Sequence, residues 1–128
     1  MTRRKLICFD FDGVLSEGSG YHWPLTGLDL TPIHQAHARG YAVAVMTCND
    51  VHMVARELKC HGIDVLADYL MDRMEWHGGP DGLQVLVTGR KLCAHAYVDD
   101  RAVCWQYGDD PAALWREIGR RHAEQQIT

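Results

Sequence analysis

Long apolar runs are absent from this 128-residue sequence, because Asp, Arg, His or Gly interrupts each one well before the roughly 18 residues of a membrane span. The apolar run at 6–9 is also too short for a secretory signal peptide. Paired cysteines are missing as well: the five cysteines are scattered, and none forms a C-x-x-C pair. This pattern argues against a disulfide framework or a structural zinc site. We therefore expect a cytoplasmic protein without a membrane segment.

Positive charge is scarce. The chain has 13 Lys and Arg against 17 Asp and Glu, which gives a formal net charge of −4. Nucleic-acid binding depends on clustered Lys and Arg that neutralise phosphates, so general affinity for nucleic acid is disfavoured, although only mildly. The length suits one compact domain over 1–128, and no internal repeat or linker interrupts it.

Short apolar runs alternate along the chain with segments that carry helix start and stop signals. Strands are predicted over 6–9, 41–46, 63–66 or as far as 70, 96–98 and 103–107, and helices over 31–40, from Asn49 or Asp50 to about 61, and from Asp110 onwards. Residues 16–28 are predicted to form a loop or flap, and 74–88 a hairpin. The alternation predicts an α/β fold, a three-layer α/β/α sandwich with a mainly parallel Rossmann-like sheet and no large cap domain.

Polar residues follow three of the predicted strands, namely Asp10, Thr47 and Asp99. The carboxyl ends of parallel strands meet at one edge of a sheet, where such folds bind ligands. Asp12 and Asp100 would bring two more carboxylates to this edge, and so many carboxylates repel one another unless a cation lies between them. Oxygen ligands of this kind suit Mg²⁺, which also engages substrate phosphate.

Carboxylates, a hydroxyl and an ammonium at one edge can together transfer a phosphoryl group. One carboxylate can attack phosphorus to give an aspartyl-phosphate. A second can protonate the leaving oxygen and later activate water, while the hydroxyl and the ammonium bind the transferring group. Of the three lysines, Lys5 precedes the first strand and Lys59 lies in a predicted helix, which leaves Lys91 for this role.

Four motifs in this order resemble those of the haloacid dehalogenase-like superfamily. The segment 9–15, Phe-Asp-Phe-Asp-Gly-Val-Leu, is similar to its first motif, D-x-D-G-[TV] after a hydrophobic strand. Thr47 matches the second motif, Lys91 the third, and 97–101, Tyr-Val-Asp-Asp-Arg, the fourth. The resemblance spans residues 6 to about 107 and is strongest to a branch of short, nearly capless phosphatases.

The resemblance implies a Mg²⁺-dependent phosphomonoester hydrolase with Asp10 as the nucleophile and Asp12 as the general acid and base. It also implies that Mg²⁺ is held by Asp10, the backbone carbonyl of Asp12, and Asp99, with Asp100 supporting the metal or its waters. The substrate phosphate would contact two further residues, Thr47 and Lys91. The second aspartate of the first motif is typical of phosphate-processing members rather than of dehalogenases.

The spacing between motifs leaves little room for a cap over the site. Only 34 residues separate Asp12 from Thr47, and the predicted flap and helix occupy most of them. The site is therefore predicted to be open, which suits a bulky phosphorylated substrate or a lid from a partner subunit. Residues 16–24 and 74–88 are the two candidate lids within the chain.

Alternative functions share part of this pattern. An aspartyl-phosphate can pass to an acceptor other than water, as in a phosphotransferase or phosphomutase, and a non-catalytic relative would only bind phosphate. A response-regulator receiver domain also uses aspartates, Thr and Lys, but in another order, and we expect no Asp at the end of the third strand. Cys48 does not indicate a cysteine phosphatase, because no C-x₅-R follows it.

Other side chains are weaker candidates. His34 and His37 share a predicted helix face but are expected to be surface residues rather than metal ligands. The aromatic segments 21–23 and 76–77 are candidates for substrate contacts, with packing as the default interpretation.

Overall fold

The computed structural model describes residues 3–16, 27–70, 72–99 and 106–127. Its elements, in chain order, are β1 (Leu6–Asp10), α1 (Thr31–Ala38), β2 (Ala42–Met46), α2 (Val51–Cys60), β3 (Val65–Ala67), β4 (Val85–Thr88), β5 (Ala96–Val98) and α3 (Pro111–Ile127). The predicted strands over 6–9, 41–46, 63–66 and 96–98 and all three predicted helices are therefore confirmed, with small shifts at their ends. The strand predicted over 103–107 lies mostly outside the described residues, and 106–107 are not in a strand.

The five strands form one sheet in the order β3-β4-β2-β1-β5. Every pairing in it is parallel, so the carboxyl ends of all five strands lie at the same edge. The predicted α/β class with a parallel, Rossmann-like sheet is confirmed.

One face of the sheet packs against α1 and α2. Alternate residues of the strands point to this face, where the helices contribute their own apolar side chains. The buried members of this cluster are Phe9, Phe11, Leu15, Ile33, Ala36, Val43, Val45, Val51, Val54, Ala55, Leu58, Ile63, Val85 and Val87. Burying each large apolar side chain contributes about 1.5–3 kcal/mol, so this face supplies much of the core.

The other face of the sheet carries a smaller apolar cluster, which includes Cys8, Leu86, Trp76 and Leu92. Trp76 and Leu92 belong to irregular segments, so in the described part of the chain this layer is made of loops rather than a helix. Burial here raises the pKa of the Cys8 thiol to about 11, against a smaller opposing effect of a backbone hydrogen bond with Leu92. Cys8 is therefore a packing residue at neutral pH.

The hairpin predicted over 74–88 is wrong. Val85–Thr88 is a fully buried strand that lies between β2 and β3 and pairs in parallel with both. The preceding segment folds on itself instead: Gln84 donates its backbone N–H to the carbonyl of Gly78 at 2.9 Å, and Trp76 donates its indole N–H to the carbonyl of Gln84 at 2.9 Å. The continuous burial of Val85–Thr88 is typical of a central parallel strand, not of one arm of a hairpin.

Short carboxylates start the helices on the packed face. The Asp50 carboxylate accepts a hydrogen bond from the backbone N–H of His52 at 2.8 Å, which caps α2 as predicted. Helix α1 begins at Thr31 instead of being capped by it: the N-cap position is Leu30, and the Asp29 carboxylate before it accepts the backbone N–H of Thr31 at 3.0 Å. Hydrogen bonds with the side chain and then with the backbone of Thr31 lower the pKa of Asp29.

The C-terminal helix α3 is supported mainly by local ion pairs. Glu117 accepts hydrogen bonds from Arg120 and Arg121, and these bonds lower the pKa of Glu117 to about 2. Trp115 remains 67% exposed on this helix. In residues 3–16, 27–70, 72–99 and 106–127, no helix is long and apolar enough to cross a membrane.

Candidate active site

Asp10 lies at the end of a strand that is paired on both sides. It is the last residue of β1, which pairs with β2 on one side and β5 on the other. The pairing with β2 continues past the strand end, because the backbone N–H of Phe11 donates to the carbonyl of Met46 at 2.9 Å. The backbone on both sides of Asp10 is therefore held, and its carboxyl group stands at the open edge of the sheet.

A tight turn follows and presents Asp12. The carbonyl of Phe11 accepts backbone N–H groups from both Leu15 and Ser16, at 3.0 and 2.9 Å. Gly13 has a φ of +85°, a conformation that favours glycine. Phe11 and Leu15 are buried in the core and so fix the turn, whereas Asp12 between them is half-buried.

Thr47 and Asn49 connect this turn to the end of β2. Thr47 is 4% exposed, and its backbone N–H donates to the carbonyl of Thr88 at 3.0 Å. Its hydroxyl oxygen accepts the backbone N–H of Asn49 at 2.9 Å. The side-chain amide of Asn49 in turn donates to Oδ2 of Asp12 at 2.8 Å. The structure thus brings together Asp12 and Thr47, which were predicted, through Asn49, which was not.

Asn49 carried one usable signal in the sequence. A polar residue two positions beyond the end of a central strand lies at the ligand-binding edge, and an amide can donate to a carboxylate from the neighbouring strand's turn. The sequence predicts only a helix-capping role for Asn49, and the structure gives that role to Asp50.

Asp99 follows β5 beside the end of β1. The register pairs Cys8 with Tyr97 and Phe9 with Val98, so Asp10 and Asp99 each directly follow one member of the last pair. Neighbouring parallel strands are about 4.8 Å apart, so the two carboxylates come from adjacent backbone positions.

Asp100, the fourth predicted metal-site residue, lies outside the described residues. Within the described ranges, no group of three or more His, Cys, Asp or Glu side chains is arranged to hold a metal ion. The described residues of the predicted metal set, Asp10, Asp12 and Asp99, therefore do not form such a group.

Lys91 reaches β5 instead of the Thr47 turn. Its ammonium lies 4.6 Å from the centroid of the Tyr97 ring, a cation–π contact that holds the exposed side chain. Tyr97 itself donates its hydroxyl to the carbonyl of Leu92. Two residues of a strand span about 7 Å, so Lys91 lies within about one side-chain length of the strand end that carries Asp99.

Arg90 is the other cation considered for this role. Its guanidinium contacts the sulfur of Met74 at 3.5 Å, and its backbone N–H donates to the Thr88 hydroxyl at 3.3 Å.

A buried pair of one carboxylate and one hydroxyl lies at the same edge and was not predicted. Asp68 directly follows β3, against our expectation that no Asp ends the third strand. It is 4% exposed, and its carboxylate accepts the hydroxyl of Thr88, which is 0% exposed, at 3.0 Å. The backbone N–H of Asp68 also donates to the carbonyl of Val87 at 2.8 Å. This pair joins β3 to β4 and is covered from solvent.

The order of the strands bears on the receiver-domain alternative. In the flavodoxin-like order of receiver domains, the third strand lies next to the first. Here β3 pairs with β4, whereas β1 pairs with β2 and β5. Asp68 is therefore remote from the β1 edge along the sheet and does not occupy the acceptor position of a receiver domain.

The two histidines of α1 and the two aromatic segments were weaker candidates for the site. Trp76 is buried and serves packing, as the default interpretation held. His34 is exposed, His37 is half-buried, and neither belongs to a metal-ligating group in the described ranges. The aromatic segment 21–23 and most of the predicted flap lie outside the described residues.

Comparison with known proteins yields no relative: no family model matches the chain, and no curated protein and no solved structure matches it. A functional conclusion must therefore rest on the chemistry of the residues themselves.

Proposed function

We propose that this protein is a Mg²⁺-dependent phosphomonoester hydrolase that acts through an aspartyl-phosphate on Asp10. The observation that carries the proposal is the hydrogen-bonded series Thr47–Asn49–Asp12, at 2.9 and 2.8 Å, beside the strand end that carries Asp10. A nucleophile, a second carboxyl and a hydroxyl at one open edge are the groups that a two-step phosphoryl transfer needs.

In the first step, an oxygen of the Asp10 carboxylate attacks phosphorus and the bond from phosphorus to the leaving oxygen breaks. Asp12, in its protonated form, gives its proton to that oxygen, so the leaving group departs as an alcohol. In the second step, Asp12 takes a proton from water as the water attacks phosphorus. The bond from phosphorus to Asp10 then breaks, which releases inorganic phosphate and restores the enzyme.

Asn49 supports the part assigned to Asp12. Its amide donates to Oδ2 of Asp12 and so orients the carboxyl group relative to the end of β1. Proton transfer is sensitive to such placement, because the donor and the acceptor must come within hydrogen-bond distance in the transition state.

Thr47 is suited to bind a phosphate oxygen. Its hydroxyl oxygen already accepts a hydrogen bond from Asn49, so the hydroxyl hydrogen can donate to a ligand. Lys91 would supply positive charge from the β5 side after leaving the Tyr97 ring. Together they would neutralise charge that develops on the transferring group.

The residue types proposed at this edge are of the kind that binds Mg²⁺. Mg²⁺ is commonly held by one or two carboxylates, with waters and substrate phosphate completing its shell, and oxygen donors are its preferred ligands. Asp10 and Asp99 would provide the carboxylates and the backbone carbonyl of Asp12 a third oxygen, with Asp100 as a further ligand or support. When bound, the ion would screen the negative charge between substrate and carboxylates.

The test is hydrolysis of a generic aryl phosphate with Mg²⁺, with EDTA, and by the Asp10→Asn variant. We expect Mg²⁺-dependent turnover that falls by about 10³-fold or more in Asp10→Asn, since removal of a nucleophile costs most of the covalent route. Asp64→Asn is the matched control, because Asp64 is exposed and precedes β3 at the opposite edge.

The same assay separates the alternatives. Transfer of phosphate to an added alcohol in preference to water would identify a phosphotransferase. Binding of inorganic phosphate without turnover of any ester would identify a non-catalytic relative and overturn the proposal.

A further inference from the structure

Two exposed aromatic rings stand at the edge of the sheet that carries the proposed site. His52 is the second residue of α2, and Tyr69 is the second residue after β3. Their ring centroids are 4.0 Å apart with an interplanar angle of 29°, so the rings are stacked. Tyr69 is still 56% exposed with His52 against it, and His52 is exposed as well. Neither ring serves the core or the proposed chemistry.

Both rings project from anchored backbone. The backbone N–H of His52 donates to the capping carboxylate of Asp50 at 2.8 Å. Tyr69 directly follows Asp68, which is buried and bonded through its carboxylate to the Thr88 hydroxyl at 3.0 Å. A ring pair attached to fixed backbone loses little conformational entropy when a third ring stacks on it, which is the condition for a preorganised binding surface.

The ring pair lies at a defined distance from the proposed phosphate site. Asn49, which is bonded to Asp12, precedes His52 by three residues, a separation of at most about 11 Å along the backbone. On the sheet, β3 is two strands from β2, or about 10 Å at the usual strand spacing. A phosphate linked through a pentose to a planar base can span this interval. An aryl phosphate, whose ring is attached directly to the phosphate oxygen, cannot.

We propose that His52 and Tyr69 form a stacking platform for the base of a nucleoside monophosphate whose phosphate occupies the Asp10 site. This inference rests on the proposed phosphohydrolase function and names its substrate class. Aromatic side chains bind bases through stacking that tolerates differences in base identity. The formal charge of −4 favours a mononucleotide over a nucleic-acid polymer, which needs a row of cations along its backbone.

The first experiment compares adenosine 5′-monophosphate with ribose 5-phosphate, which has the same pentose and phosphate but no base. We expect Tyr69→Ala to lower the ratio of kcat/KM for the nucleotide to that for the sugar phosphate by about tenfold, since one stacked base contributes about that much or more. His52→Ala is also expected to lower this ratio. Tyr69→Phe keeps the ring, so its ratio should equal that of the wild type.

Two variants serve as matched controls. Tyr107→Ala removes another exposed tyrosine, and His61→Ala removes an exposed histidine at the opposite end of α2. Neither should change the substrate ratio. An unchanged ratio in Tyr69→Ala, or equal losses for both substrates, would overturn the platform.

The second experiment is independent of turnover. Adenosine, which has no phosphate, is titrated into wild-type protein and into Tyr69→Ala while binding is followed by NMR. Saturable binding that is lost in Tyr69→Ala supports the platform even if no ester is hydrolysed. Hydrolysis of sugar phosphates without adenosine binding leaves the proposed function intact and overturns the platform. Stronger competition by a 5′-phosphorylated oligonucleotide than by the mononucleotide would overturn the assigned substrate class.

Discussion

Two carboxylates at the same edge of the sheet differ in how they are enclosed. Asp12 is half-buried on a turn and receives the side-chain amide of Asn49 at 2.8 Å. Asp68 is 4% exposed and receives the hydroxyl of Thr88, itself fully buried, at 3.0 Å. The first lies at the open end of β1, whereas the second lies between two strands. The two carboxylates also differ in their partners: Asp12 is bonded to Asn49 in the turn beside Asp10, whereas Asp68 is bonded to a residue of the neighbouring strand, so we assign the first to chemistry and the second to holding strands together.

The distinction has an energetic basis. A carboxylate that is covered from water depends on its hydrogen bonds, and removing a partner leaves a buried group without solvation. Asp12 can be replaced by the isosteric asparagine, which keeps the shape of the side chain and an oxygen that can accept from Asn49, so this change costs the fold little. We therefore expect substitutions at Asp12 to affect activity and substitutions at Asp68 to affect stability.

The largest expected effect follows substitution of Asp12. In Asp12→Asn the general acid and base is lost while the shape is kept, and we expect kcat to fall by about 10²–10⁴-fold. The urea midpoint should move little, because the half-buried carboxyl is replaced by an isosteric amide. Steady-state kinetics and urea unfolding of the same preparation measure both. A large loss of stability with retained kcat would reverse the roles assigned to the two carboxylates.

The opposite result is expected at Asp68. Asp68→Ala removes a hydrogen bond to a charged group and leaves the buried Thr88 hydroxyl without that acceptor. The free energy of unfolding should fall by about 1.5–3 kcal/mol. This is measured from the urea midpoint, and kcat per folded molecule should not change. Asp64→Asn, an exposed aspartate before β3, is the control and should leave both quantities unaltered.

A smaller effect is expected at Asn49, because it acts through Asp12. In Asn49→Ala the Asp12 carboxyl loses its orienting donor, and we expect kcat to fall by about tenfold, the size of one hydrogen bond in a transition state. KM should change less than kcat if the amide orients Asp12 and does not bind substrate. A rise in KM with unchanged kcat would place Asn49 in substrate binding instead.

The sequence was most informative where one segment carried the whole signal. The continuous apolar residues of β1 predicted a strand buried in a parallel sheet, and the polar residues directly after β1, β2 and β5 predicted the functional edge. These are local patterns. The chemical roles of Asp10, Asp12 and Thr47 remain proposals, but their placement at one edge follows from the topology.

The sequence was least informative where partners come from distant segments. The bond between Asp68 and Thr88 exists because β4 lies between β3 and β2, and strand order is not encoded in either segment. The incorrect hairpin prediction over 74–88 has the same cause. A glycine-rich turn beside a short apolar run precedes a hairpin arm in some proteins and a central parallel strand in this one, and only the strand order distinguishes the two. The contact of Asn49 with Asp12 also depends on two turns that meet only after the sheet has formed.

The last and smallest effect concerns His37 on α1. Its imidazole is partly buried, so burial affects a group that becomes positively charged on protonation. Burial lowers the pKa of His37 from 6.5, with the positive charges of Arg4 and His34 acting in the same direction and Asp81 opposing them. The unfolded chain therefore binds a proton more readily than the folded one as the pH falls through 6.5. The contribution of His37 to stability is complete above that pH and is lost below it. We expect Tm to fall between pH 7.5 and 5.5 and to fall less in His37→Leu. An identical pH dependence in the variant would show that the enclosure of this ring has no consequence for folding.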